Sequence, residues 1–64
     1  MGRAINEVKN LIEKTEAKLS ELQLAYERAS DNNNVQAQID LSIEIEDVVN
    51  RLKNLKNLKA RLEE

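Results

Sequence analysis

From Ile5 to Ala29 the chain repeats one pattern: Ile5, Val8, Ile12, Thr15, Leu19, Leu22, Tyr26 and Ala29 follow one another at alternating gaps of three and four. A helix with that spacing presents one stripe along its length, the seam of a coiled coil, and a strand cannot. The stretch from about Ala4 to Ala29 has no Gly or Pro and is rich in Glu, Lys, Leu and Ala, all strong helix formers. Leu11 and Ala25 widen the stripe, while Ala17 and Leu24 fall on the far side.

The pattern breaks at Ser30-Asp31-Asn32-Asn33-Asn34. Asn tolerates the left-handed conformation that ends helices, and Ser, Asp and Asn side chains accept hydrogen bonds from the free amides of a following helix. Asn33 with Gln36 three residues on predicts a capping box. The three-four spacing then returns in a second helix over about Val35 to Leu62. Leu41, Ile45, Val48, Leu52, Leu55 and Leu62 lie on its seam, with Val49 and Leu58 beside it. Lys59 also occupies a seam position, where its stem can lie on the partner helix while the ammonium reaches water. Two helices, each about 40 Å long at ~1.5 Å per residue, joined by so short a link must lie antiparallel and adjacent. The expected fold is therefore all-α: a single helical-hairpin domain over residues 1–64, with the helices at about 4–29 and 35–62 and the turn at 30–34.

A chain of 64 residues held along one seam leaves much of each stripe open to water. Pairing two hairpins into a four-helix bundle is the usual remedy, so a homodimer or another protein partner is expected. The second helix also carries apolar residues away from its seam. Val35, Ile39 and Ile43 lie nearly opposite the Leu41, Ile45, Leu52 and Leu55 stripe. Farther along, the same outer face carries Glu46, Asn50, Asn54 and Asn57. The candidate partner-binding residues are accordingly Val35, Ile39, Ser42, Ile43 and Glu46. Charge is segregated along this helix too, with Asp40, Glu44, Glu46 and Asp47 ahead of Arg51, Lys53, Lys56, Lys59 and Arg61. That order suits the helix dipole, and it would also set acid against base across an antiparallel neighbour.

Chemistry is scarce. The sequence has no His, no Cys and no Trp, and its one aromatic residue is Tyr26, so no catalytic residues, no cofactor and no metal are expected. Asp40, Glu44 and Asp47 share a face but belong to one helix, which reads as a solvated acidic surface. Ser20, Ser30, Ser42 and Thr15 have no imidazole to activate them, and a two-helix hairpin makes no pocket by itself. With 10 basic and 12 acidic residues the net charge is −2. The five cations of the second helix are spread around it without a stacking aromatic, so nucleic acid is not the expected partner; an RNA-binding hairpin stays open as an alternative. No apolar run approaches the roughly 18–20 residues that cross a bilayer. Met1-Gly2 opens a myristoylation pattern, but Asn6 stands where Ser or Thr belongs. A cytoplasmic location is the expectation.

The segment Leu41-Ser42-Ile43-Glu44-Ile45-Glu46-Asp47-Val48-Val49-Asn50 resembles the second-helix motif of the Spo0E-like aspartyl-phosphate phosphatases. These are small helical hairpins whose motif reads Ser-Gln-Glu-Leu-Asp followed by an apolar pair. The resemblance implies binding to a response-regulator receiver domain and help in hydrolysing its phospho-aspartate. Ile43 stands where the motif has Gln and Glu46 where it has the functional Asp, while Asp47 comes one position late and on another face. Set beside these readings, the residues themselves point to a non-catalytic interaction module: a small regulator, inhibitor, chaperone or assembly factor acting through helix faces.

Overall fold

The computed structural model describes residues 2–64, and within them the chain forms two α-helices, α1 over Gly2–Asp31 and α2 over Val35–Glu63. They pack along each other as an antiparallel hairpin whose Cα positions extend 49 × 14 × 11 Å. Both helices run a little past the expected limits. The first begins at Gly2 and ends at Asp31, and the second ends at Glu63, so the turn shrinks to Asn32, Asn33 and Asn34. Ser30 and Asp31 stay helical, and a left-handed residue closes the helix just beyond them.

That residue is Asn33, at φ 55°. Its amide donates to the Ser30 carbonyl at 3.0 Å, and the next amide, that of Asn34, reaches back to the Ala29 carbonyl at 2.8 Å. This pair of bonds is a Schellman closure, which satisfies carbonyls that the end of α1 leaves free. Asn34 then opens α2. Its side-chain oxygen accepts from the Ala37 amide at 3.2 Å, and its carbonyl accepts from the Gln38 amide at 3.1 Å. One residue thus ends one helix and starts the next.

The capping box expected of Asn33 and Gln36 does not form. The left-handed backbone at Asn33 places it in the closure of α1, one residue too early to cap α2, and the cap passes to Asn34. Gln36 instead donates from Nε2 to Oδ1 of Asp40, one turn farther along the same helix, at 3.1 Å.

The core is the seam. Val8, Ile12 and Leu52 form its buried cluster, with Leu19 and Leu55 packed against it, and Leu22 and Ala29 are buried nearer the turn. Thr15 is half-buried on the seam with no polar partner across it; its hydroxyl donates to the Leu11 carbonyl of its own helix at 2.6 Å. Lys59 is half-buried as well, its ammonium turned outward to Glu63 at 3.3 Å. Two seam assignments shift. Tyr26 is 36% exposed and its place in the groove goes to half-buried Ala25. Leu62 is exposed, since it lies at the open end where the two helices run out.

Candidate functional site

The enclosed core is small. Among the described residues five apolar side chains are buried, whereas nine large ones, Leu11, Leu24 and Tyr26 on α1 and Val35, Ile39, Ile43, Val49, Leu58 and Leu62 on α2, face water. Three of those nine are the outer-face aliphatics of α2: Val35 is 63% exposed, Ile39 50% and Ile43 57%. The seam of α2 is occupied by α1, so these three have nothing in the chain left to bury them.

The two polar members of the candidate set sit beside them. Ser42 is exposed, and its hydroxyl donates to the Gln38 carbonyl at 2.8 Å, which satisfies it within the helix. Glu46 is exposed and takes part in none of the three ion pairs of the described residues, Arg3–Glu7, Glu16–Lys56 and Lys59–Glu63. Val35, Ile39, Ser42 and Glu46 share one stripe of α2 at gaps of four, three and four, with Ile43 on its edge. The exposed run continues at the same spacing through Val49, Lys53, Lys56 and Ala60. Extending the four-three count past Glu46 would have found these residues from the sequence; the change from apolar to charged composition hides the continuity.

A second surface feature lies across the hairpin. An open groove of about 210 Å³ runs between the helices, floored by Leu11, Thr15 and Val48 and edged by Lys14, Lys18 and Arg51. Of the basic block on α2, Lys56 is paired with Glu16 and Lys59 with Glu63. Among the described residues no side-chain nitrogen or oxygen is buried without a hydrogen-bond partner, and no three acidic side chains converge as a cation site. Neither helix is long and apolar enough to cross a membrane. Among the described residues the geometry thus presents exposed helix faces and an open groove.

No family model, no curated protein and no solved structure matches this chain.

Proposed function

We propose that this chain is a cytoplasmic, non-catalytic protein–protein interaction module, a small regulator, inhibitor, chaperone or assembly factor that docks through the outer face of α2. Assembly of two hairpins into a four-helix bundle belongs to the same proposal. The observation that carries it is the exposure of Val35, Ile39 and Ile43 on one side of a helix whose other apolar side is already occupied. A solvated helix has no use for such residues. Fully burying one aliphatic side chain is worth about 1.5–3 kcal/mol, so three half-covered ones leave a sizeable gain for a partner to collect. Exposed apolar surface gathered on one face and flanked by polar residues is the common mark of a protein-binding site. Ser42 and Glu46 lie on the same stripe and supply its polar contacts.

The test is the double change Ile39→Lys with Ile43→Lys. Both positions are exposed, so helix content measured by circular dichroism should stay close to that of the original chain. Partner capture or self-association should be lost. An unaltered oligomeric state together with unaltered partner capture would reject this face as the docking surface.

A further inference from the structure

The stripe of α2 that begins at Val35 and passes Ile39, Ser42 and Glu46 is a second heptad seam, about 110° round the helix from the one that packs on α1. It continues through Val49, Lys53, Lys56 and Ala60, all exposed, with Lys56 turned to Glu16 of α1 at 3.8 Å. The corresponding stripe of α1 is polar, holding Glu13, Glu16, Ser20, Gln23 and Glu27.

We infer that the helix covering this seam is α2 of a second copy of the chain, lying antiparallel about a two-fold axis at Val49. The inference rests on the reading of the α2 outer face as a docking surface and names its occupant. The order of residues on either side of Val49 argues for it. Glu46 precedes Val49 by three positions and Lys53 follows it by four. Antiparallel pairing about Val49 therefore brings Glu46 of each copy beside Lys53 of the other, twice per dimer, and neither residue has an ion-pair partner within its own chain among the described residues. Farther out, the same operation sets the large Ile39 against the small Ala60, again twice, so the backbones can stay close along the contact. Val49 meets its own copy at the centre. A parallel pairing would stack Glu46 on Glu46 and Lys53 on Lys53, two like-charge contacts along one seam.

The surface area allows it. The chain exposes 5091 Å², about 900 Å² more than the ~4,200 Å² of a compact monomer of 7.3 kDa. The elongated shape, 49 × 14 × 11 Å, accounts for that excess, and it leaves room for the ~800 Å² that each partner contributes to an ordinary stable interface. The aliphatic residues supply the affinity, and the Glu46–Lys53 pairs set direction and register.

Sedimentation equilibrium over a wide concentration range tests this, with helix content checked for each variant. The original chain should show a reversible monomer–dimer equilibrium. Glu46→Lys alone and Lys53→Glu alone should each raise the dissociation constant by roughly tenfold or more, since each turns two attractive pairs into two repulsive ones. The double exchange Glu46→Lys with Lys53→Glu should restore dimerisation, and so should mixing the two single variants. A chain that stays monomeric throughout, or a dimer indifferent to both single changes, overturns the inference. If the chain is monomeric while Ile39→Lys with Ile43→Lys still abolishes binding of a different protein, self-pairing falls and the docking reading stands. A dimer that survives that double lysine change overturns both.

Discussion

Lys56 Nζ lies 3.8 Å from Oε2 of Glu16, and among the described residues this is the one ion pair that joins α1 to α2. It sits on the flank of the seam with both side chains more than half exposed, at 57% and 51%. Exposed pairs gain little because water already solvates the charges and the long side chains lose freedom in meeting. Glu16→Gln should therefore lower the unfolding free energy by no more than about 1 kcal/mol. The difference should shrink at high salt, as screening removes what attraction remains. Urea melts at low and high ionic strength, at one protein concentration, check both statements.

The turn offers a sharper contrast. Asn34 caps α2 by accepting from the Ala37 amide, whereas Gln36 makes one exposed bond to Asp40. Asn34→Ala should cost about 1 kcal/mol, the usual loss when a helix cap is removed. Gln36→Ala should cost no more than about 0.5 kcal/mol, the scale of a surface pair one turn apart. Thermal melts followed by circular dichroism separate the two, and equal losses would show that the capping role is misplaced.

Asn33 holds the left-handed conformation at φ 55° on which the closure of α1 depends. A β-branched residue there clashes with its own backbone, so Asn33→Val should destabilise the hairpin by about 1–2 kcal/mol. Glycine adopts that conformation freely, and Asn33→Gly should be neutral or stabilising. The order of melting temperatures, Gly at or above Asn and Val lowest, is the outcome to look for.

Leu52 and Leu24 are the same residue type in opposite surroundings, the first 9% exposed in the seam cluster and the second 55% exposed on the far side of α1. Leu52→Ala should cost about 2–5 kcal/mol, because it removes buried surface and opens a cavity beside Val8 and Ile12. In so small a core that loss should flatten the thermal transition. Leu24→Ala should stay within about 1 kcal/mol, since little of its surface is buried and Ala favours the helix. A comparable loss at both sites would mean that α1 is covered on its outer face.

The helical hairpin was legible in the chain because its information is local and periodic. Three-four spacing on either side of a run of Asn specifies two amphipathic helices and a tight link, and Val8, Ile12, Leu22, Ala29 and Leu52 are buried where that spacing puts them. The outward placement of Val35, Ile39 and Ile43 follows from the same angular count, since a residue off the seam by more than a quarter-turn cannot reach α1.

What the spacing could not settle were choices among neighbours that share a residue type or a stripe. Three consecutive asparagines are equivalent as letters. They became a linker, a left-handed stop and a cap only when the amides of Asn33 and Asn34 closed on Ser30 and Ala29. Likewise Tyr26 and Ala25 are neighbours at the seam, and only the packing of the two helices put the small residue in and the ring out. The pairing of Glu16 with Lys56 across the helices needed the register of one helix on the other. Periodicity along a chain assigns faces; which atoms meet across those faces is decided by geometry that exists only once the helices have packed.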